Sequence, residues 1–319
     1  MNCNPFSRVV HGATHRALLR HGVRGAVAAV MLSAASSSPQ APDDLIGIPT
    51  IHITTEEDTL LDIARKYDVG YVEIRAANPG IDPWLPGADQ TIQVPTQQVL
   101  PNAPRRGVVI NLAELRLYYF AGGDSAARSF PIGIGGEGKE TPVGRTEIAR
   151  KATQPTWIPT RSEHEEDPNL PAVVGPGPDN PMGDFALYLG WKGYAIHGTN
   201  KPYSIGRRDS HGCIRMYPED IATLYKLVRP GTPVTVVDQQ VKTGWSAGEL
   251  YLEIHASQAD ADSLETTGAP ATNGDIDADA LVIHAAGTSV KRLDWYAIHL
   301  AEAGRDGIPV QVTRRENGF

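Results

Sequence analysis

The sequence predicts a mainly β protein, in which a β-rich domain with one main helix follows a small strand–helix–helix–strand unit. Glycine (32) and proline (25) together make up about 18% of the 319 residues, against an average of about 12%. Such an excess favours short strands joined by ordered turns over a helical bundle. Short β-branched or aromatic segments also recur between residues 107 and 238, which indicates a β-rich domain.

The small N-terminal unit is assigned to residues 49–96. Thr50–Thr54 alternates polar and apolar residues as a half-buried strand does, and Thr91–Val94 offers a closing strand. Between them, Thr59 supplies helix-start chemistry for an apolar helical face that follows it. Tyr71–Ala77 is a second short helical stretch, so the pattern predicts a βααβ unit.

The β-rich domain is assigned to residues 105–238, after a linker rich in proline and glutamine. One helix is clear, because Pro218 suits a first turn, Glu219 and Asp220 favour the positive end of the helix dipole, and an apolar stripe continues to Val228. The predicted strands of this domain are Gly107–Leu112, Leu115–Ala121, Arg128–Ile134, Arg145–Arg150, Phe185–Leu189 and Thr232–Asp238.

Residues 1–35 have the features of a secretory signal peptide. Residues 1–24 contain four arginines and no acidic residue, and they are followed by an apolar run, Gly25–Ala35, that ends in small residues. At about 1.5 Å per residue this run is too short for a hydrocarbon core of about 30 Å, so no stable membrane span is expected; an uncleaved anchor is the alternative. Cleavage would remove the four arginines, and the formal charge of −8 would become −12. An acidic chain with 7% aromatic residues is not expected to bind nucleic acid.

The C-terminal part is predicted to consist of three pieces. Residues 239–257 extend the β-rich domain with one strand, Glu249–Ile254. Residues 258–280 contain six acidic residues and no cation, a composition that predicts a disordered linker. Residues 281–319 contain apolar and helix-like segments and are predicted to pack back as a small appendage.

The segment Ala195–Met216 concentrates the residues that are capable of chemistry. Cys213 is the one cysteine outside the leader, which excludes an intramolecular disulfide after processing. His197 and His211 bring two imidazoles near this thiol, and a neighbouring imidazole can take its proton and generate the reactive thiolate. Gly212 lets backbone amides approach an oxyanion. Three arginines of the segment would attract carboxylates and help to lower the thiol pKa: Arg207, Arg208 and Arg215.

Two other interpretations of these residues stay open. His197, His211 and Cys213 are potential zinc ligands, although no fourth ligand lies at a typical spacing. Alternatively, Cys213 is a structural thiol, because free cysteine is commonly buried as a small apolar side chain.

The stretch IHGTN…SIG…SHGCIRMYPEDI resembles the signature of the L,D-transpeptidase (YkuD-type) family. Thr141–Gly144, Pro178–Gly183 and Pro230–Val234 are also similar, and the resemblance covers about residues 105–252. Many members carry Asn two residues after the cysteine, where this chain has Arg215, as the periplasmic members often do. The N-terminal unit resembles a LysM carbohydrate-binding module, with Glu56-Glu57-Asp58 where that family usually has Gly-Asp; a structural cap on the next domain is the alternative.

This resemblance implies a catalytic domain of mixed sheets with one main helix, and it implies residue roles. Cys213 would be the nucleophile and His197 its proton acceptor and later donor, although the sequence alone does not separate the roles of His197 and His211. The implied supporting residues are Gly198, whose carbonyl would orient the imidazole, and Ser210, His211 and Gly212, which would shape the pocket, with the amides of Gly212 and Cys213 as the oxyanion hole. The candidate substrate contacts are Arg215, Asn200 and Thr199.

The implied reaction is a two-step acyl transfer that needs no cofactor and no metal. Cys213 would attack the L-centre carbonyl of diaminopimelate in a peptidoglycan stem tetrapeptide, release D-alanine and form a thioester, which an acceptor amine would then resolve. The acceptor would be a second diaminopimelate or the lysine of a wall-anchored lipoprotein, and the partners would be stem peptides and glycan strands in the periplasm. The alternatives are a hydrolase that cleaves the same bonds and a non-catalytic peptidoglycan-binding scaffold.

Overall fold

A computed structural model describes residues 43–122, 126–269 and 276–314 of the chain. The predicted leader, residues 1–35, lies outside the described residues, as do part of the predicted linker and the last five residues. Among the helices of these three ranges, none combines the length and the apolar character that crossing a membrane requires.

The N-terminal unit has the predicted strand–helix–helix–strand order. Thr59 begins the first helix by accepting a hydrogen bond from the Asp62 amide, and Leu60 and Ile63 are fully buried on its inner face. A short outer strand pair, β1 with β4, joins this unit to the following segment. The elements are β1 Leu45–Ile46, β2 Thr50–Ile53, α1 Leu60–Lys66, α2 Tyr71–Ala76, β3 Thr91–Val94 and β4 Gln98–Val99, with β2 and β3 antiparallel.

The β-rich domain is built on an eight-stranded mixed sheet with the order β13-β11-β10-β9-β14-β5-β6-β7. The pairs β14–β5 and β11–β13 are parallel and the other neighbours are antiparallel, which confirms the mixed sheet. Two strands outside this sheet, β8 and β12, pair in parallel with each other. The strands are β5 Gly107–Asn111, β6 Arg116–Phe120, β7 Arg128–Pro131, β8 Ile134–Gly135, β9 Gly144–Thr153, β10 Phe185–Leu189, β11 Ala195–His197, β12 Arg208–Ser210, β13 Ile214–Arg215 and β14 Pro233–Val237.

The predicted main helix of this domain is present as α4 (Pro218–Leu227). Its Ile221 and Leu224 are buried in the central apolar core with residues of the sheet strands. A second helix, α3 (Arg161–Glu166), has no buried residue, and a 3-10 turn spans Pro202–Ser204. The sheet and α4 therefore carry the core, whereas α3 lies outside it.

The C-terminal region differs from the prediction that residues 258–280 form a disordered linker. Gln258–Thr267 forms a helix, α5, because Ser257 caps it at the Asp260 amide and because Ala261 and Leu264 enter the central core. The extension and the appendage share one apolar core and one three-stranded sheet, since β17 pairs with β16. The remaining elements are β15 Val241–Ser246, β16 Glu249–Ile254, α6 Asp279–Ala286, a 3-10 helix Gly287–Arg292, α7 Trp295–Gly304 and β17 Val310–Gln311.

Candidate active site

His197 and Cys213 lie at the ends of two neighbouring parallel strands of the large sheet. Strand β11 ends at His197 and β13 begins directly after Cys213, with His197 opposite Arg215 in the register. Side chains alternate between the faces of a sheet, so Ile196 and Ile214 enter the central core from one face. The same alternation places His197, Cys213 and Arg215 together on the other face.

The His197 imidazole is buried, oriented and uncharged at neutral pH. Its side chain is 6% exposed, and Nδ1 donates a hydrogen bond of 2.6 Å to the carbonyl oxygen of Gly198. Because a carbonyl only accepts, the proton must be on Nδ1, which leaves Nε2 as a proton acceptor. Burial lowers the pKa of His197 to about 4; the Gly198 bond opposes this shift, and the charge of Arg215 adds to it.

The pKa of the Cys213 thiol is raised, so the thiol is protonated at neutral pH, contrary to the expectation that three arginines lower its pKa. Burial raises the pKa of Cys213 and the charge of Glu163 adds to the effect, while a backbone hydrogen bond from Ala195 and the charge of Arg215 act against it. The thiol donates to the carbonyl oxygen of Gly193, with 3.6 Å between sulfur and oxygen.

Arg207 and Arg208 do not lower the pKa of Cys213 because both are paired with other residues. Arg207 is paired with Glu265 and Arg208 with Asp262, both on α5, so their charges are compensated by carboxylates rather than directed at the thiol. Of the three, only Arg215 contributes to the electrostatics of Cys213.

Ser210 and Gly212 shape the turn that leads into Cys213. The Ser210 hydroxyl donates to the carbonyl oxygen of Cys213 at 2.6 Å and accepts from the Gly212 amide at 3.1 Å. Gly212 has a φ of +98°, and a Cβ there would lie 2.9 Å from Tyr194 Cε1, so the position requires glycine. The Gly212 amide therefore donates to the Ser210 hydroxyl. Of the two amides expected to form an oxyanion hole, the Cys213 amide is the one that remains a candidate.

His211 does not join the thiol but turns towards α3. Its Nε2 lies 2.9 Å from Glu166 Oε2 and 2.9 Å from the Lys139 ammonium, and its Nδ1 lies 3.8 Å from Glu163. The two histidines, whose roles the sequence leaves open, thus have different surroundings: His197 faces the thiol side of the sheet in a buried position, and His211 belongs to a charged cluster at the surface.

The three candidate substrate contacts are engaged in local interactions. The Thr199 hydroxyl accepts from the Lys201 amide at 2.9 Å, and the Asn200 side chain donates to the Asp179 carbonyl at 3.1 Å. Arg215 pairs with Asp209 at 2.7 Å while remaining partly exposed beside His197. Of the three, Arg215 alone combines exposure with a position on the face that carries the imidazole and the thiol.

The structure also bears on the alternative zinc interpretation. Among the described residues, His197, His211 and Cys213 are not a group whose ligand atoms all lie within 4.8 Å of one another. Two other groups do so, Glu114 with Glu253 and His255, and Asp279 with His299 and Glu302. The first group already surrounds the Lys242 ammonium, which lies 2.6 Å from Glu114 and 2.8 Å from Glu253.

The structure adds residues that the sequence analysis did not single out. Glu163 acts on the thiol from α3, and the sequence signal for its placement is the capping box that it forms with Thr160. Thr141 ties two turns together, since its hydroxyl donates to the Gly212 carbonyl at 2.9 Å and accepts from the Gly135 amide at 3.1 Å. Long-range contacts such as this have no local pattern, so only the resemblance around Thr141 pointed to that segment.

Comparison with known proteins agrees with this architecture. Residues 105–236 match the L,D-transpeptidase catalytic domain and residues 52–95 match the LysM domain. The chain is 42% identical to the probable L,D-transpeptidase YcfS of Escherichia coli K12, over 68% of this chain and 71% of that protein, and 42% identical to ErfK/SrfK of Salmonella typhimurium, over 70% and 75%. Among solved structures, the catalytic domain of the E. faecium L,D-transpeptidase is 24% identical with a TM-score of 0.34, and the match covers 43% of this chain and 99% of that one.

The mixed-sheet domain, over residues 105–236, is thus an L,D-transpeptidase catalytic domain. The chain belongs to the L,D-transpeptidase family, and it carries a LysM domain in front of that catalytic domain.

Proposed function

We propose that this L,D-transpeptidase acts by cysteine acyl transfer, with Cys213 as the nucleophile and His197 as the group that carries the proton. The observation that supports this proposal is the pairing of β11 with β13, which presents a thiol and a neutral, oriented imidazole on one face of the sheet. A neutral imidazole beside a protonated thiol is the resting pair that general-base activation requires.

The first half-reaction forms a thioester. His197 Nε2 takes the proton of Cys213, and Sγ attacks the carbonyl carbon at the L-centre of diaminopimelate in a stem tetrapeptide. The bond to the terminal D-alanine then breaks, and the imidazolium returns its proton to the departing amine. Because the Gly198 carbonyl accepts from Nδ1–H, it stabilises the imidazolium that forms during this step.

The second half-reaction resolves the thioester with an amine. His197 Nε2 takes a proton from the acceptor amine as its nitrogen attacks the thioester carbonyl, and that proton then reaches the departing sulfur, which regenerates the thiol. A diaminopimelate acceptor gives a cross-link between stems, a lipoprotein lysine gives a wall-anchored protein, and water gives a carboxypeptidase.

The remaining parts of the proposal concern binding and location. Arg215 is the side chain best placed to contact a substrate carboxylate, since it lies opposite His197 and is partly exposed. The LysM domain supports binding to glycan strands of peptidoglycan. The basic, then apolar, leader supports export to the periplasm, where these substrates are found.

The experiment is an assay of D-alanine release from a purified disaccharide-tetrapeptide, with and without an added acceptor amine. We expect release by the wild-type protein and none by Cys213→Ala, with His197→Gln strongly impaired and Lys226→Gln, at an exposed position of α4, unchanged. Wild-type release by Cys213→Ala would overturn the mechanism.

The same assay separates the related activities by their products. A product that contains the acceptor amine identifies transfer, and a free tripeptide stem in its presence identifies hydrolysis. If the protein were only a scaffold, a carbapenem would add no mass to it; we expect a single adduct that maps to Cys213.

A further inference from the structure

The loop between His197 and Cys213 is held by two elements that lie outside the catalytic sheet. This loop, residues 199–212, contains the 3-10 turn and β12 and ends at Ser210 and Gly212. Its one strand pairs with β8, so the large sheet does not hold it directly.

The LysM domain supplies the first contact. At the start of α2, the Val72 amide donates to the Gly206 carbonyl at 3.1 Å and the Tyr71 amide donates to the Ile205 carbonyl at 3.4 Å. A Cβ on Gly206 would overlap the Tyr71 amide nitrogen, so the two backbones are in direct contact. The first amides of a helix have no acceptor within the helix, and here the loop carbonyls accept the hydrogen bonds of two such amides of α2.

Helix α5 supplies the second contact through two ion pairs. Arg208 is only 6% exposed; it lies 3.0 Å from Asp262 and also donates to the Gln258 carbonyl. Arg207 is paired with Glu265, and its guanidinium stacks on the Tyr71 ring with 3.9 Å to the centroid. Because both cations are mostly buried, they need these carboxylates to keep their positions.

Arg208 is connected through its own strand, β12, to the turn that leads into Cys213. Arg208 and Ser210 belong to the same short strand, which pairs with Ile134 and Gly135 of β8. Asp209 between them binds Arg215, and Ser210 binds the carbonyl of Cys213. A displacement of Arg208 would therefore shift the residue that fixes the backbone of Cys213.

We propose that α5 is a positioning element for catalysis, in which Asp262 and Glu265 anchor Arg208 and Arg207 so that Ser210 holds Cys213 in register with His197. Helix α5 lies beyond the region that matches the catalytic domain, residues 105–236, so the acidic C-terminal segment contributes to the active site from outside that domain. The inference rests on the proposed role of Cys213.

The test uses the full chain with Asp262→Asn, Glu265→Gln and the double variant. Thioester formation is followed in single turnover, with kcat and KM for D-alanine release and with the thermal midpoint as a measure of folding. We expect acylation to slow by about 10- to 100-fold with KM within about twofold, because a small misplacement of a reacting group has effects of that size. Asp262→Glu should recover most of the rate, since it keeps the carboxylate.

Two comparisons make the result specific. Glu147→Gln, at an exposed position of β9, removes one carboxylate without touching the loop and should leave the rate unchanged. Arg208→Met should slow acylation, and adding Asp262→Asn to it should cost little more, because the ion pair is already absent. An unchanged acylation rate in the α5 variants, or a loss only in proportion to the unfolded fraction, would overturn the inference. If Cys213→Ala still releases D-alanine, the proposed function itself fails, which is a separate outcome.

Discussion

Burial acts on the two reacting side chains of the candidate site in the same sense, because it disfavours the charged form of each. The pKa of the His197 imidazole is lowered and the pKa of the Cys213 thiol is raised. The resting pair is therefore neutral, and in the proposed mechanism the proton moves from Sγ to Nε2 as the substrate carbonyl is attacked. This state differs from a preformed thiolate–imidazolium pair, and the two are distinguishable by pH dependence.

The first prediction concerns the reactivity of Cys213 towards iodoacetamide in the absence of substrate. Because the pKa of Cys213 is raised, the thiolate fraction is small at neutral pH, and the alkylation rate should still be rising at pH 9. Because the pKa of His197 is about 4, the imidazole is already neutral at pH 5, and no step should appear between pH 5 and 7. A plateau of high reactivity at pH 6–7 would indicate a preformed ion pair and contradict this account.

The second prediction concerns Arg215, whose charge lowers the pKa of both groups. Arg215→Gln should raise the pKa of Cys213 further and therefore slow its alkylation at pH 8, because the thiolate fraction falls as the pKa rises. Arg161→Gln is the matched control, because this arginine is 92% exposed and paired only with Glu165 on the same helix. Equal rates in the wild-type protein and Arg215→Gln would show that the charge does not reach the thiol.

At the scale of elements, the contact between α2 and the loop depends on the absence of a side chain at Gly206. Gly206 and Gly138 both have a positive φ of nearly the same size, +76° and +75°. A Cβ at Gly138 would meet no atom within 4 Å, whereas one at Gly206 would overlap the Tyr71 amide. Replacement of Gly138 by alanine therefore tests the effect of the positive φ alone on stability, whereas replacement of Gly206 adds the effect of the overlap with Tyr71.

The third prediction follows from this pair. Gly138→Ala should lower the free energy of unfolding by about 1–2 kcal/mol, the cost of a left-handed conformation. Gly206→Ala should lower it by about a further 1–3 kcal/mol, because the LysM domain and the loop must separate. Urea denaturation measures both values. Equal losses in the two variants would mean that the domain contact contributes nothing to stability.

The long elements could be predicted from the sequence, and the short ones could not. Strands β5, β6, β7 and β10 and helix α4 have clear alternation or an apolar stripe, and the structure places them within a few residues of the predicted bounds. Strands β11 and β13 have two or three residues, too few for any period to show. Helix α3 has no buried residue, so it offers no stripe, and α5 offers only Ala261 and Leu264 among acidic neighbours.

At the scale of the whole molecule, a buried ionic cluster joins the catalytic domain to the C-terminal region. Lys242 of β15 lies 2.6 Å from Glu114 and 2.8 Å from Glu253, and all three side chains are fully buried. Tyr118 also donates to Glu114, and the Val99 amide donates to Glu253. Segments from four parts of the chain therefore meet at one ammonium group.

The fourth prediction is that Lys242→Met destabilises the protein by about 3–5 kcal/mol, because it leaves two buried carboxylates without their cation. The exposed Lys226→Met on α4 should change the free energy of unfolding by less than about 0.5 kcal/mol. Chemical denaturation at neutral pH measures both. A small loss in Lys242→Met would show that the cluster does not hold the C-terminal region in place.

The candidate residues His197 and Cys213 could be proposed from the sequence, whereas the distant ion-pair partners of the charged residues could not. The stretch around His197 and Cys213 carries both candidate groups within 17 residues, so spacing and resemblance were sufficient to find them. The partners of Arg207 and Arg208 lie 58 and 54 residues away, and Glu114 is 128 residues from Lys242. Pairs of this kind leave no local pattern, which is why the acidic segment was predicted to be a disordered linker.

The most direct test of the central claim, a thioester at Cys213, is intact-mass spectrometry of the protein during turnover. The wild-type protein is mixed with a purified disaccharide-tetrapeptide, quenched in acid and weighed, with Cys213→Ala treated in parallel. We expect an added mass equal to the substrate minus D-alanine, located at Cys213 and absent from the variant. Turnover without any such adduct under single-turnover conditions, or the same adduct in Cys213→Ala, would contradict it.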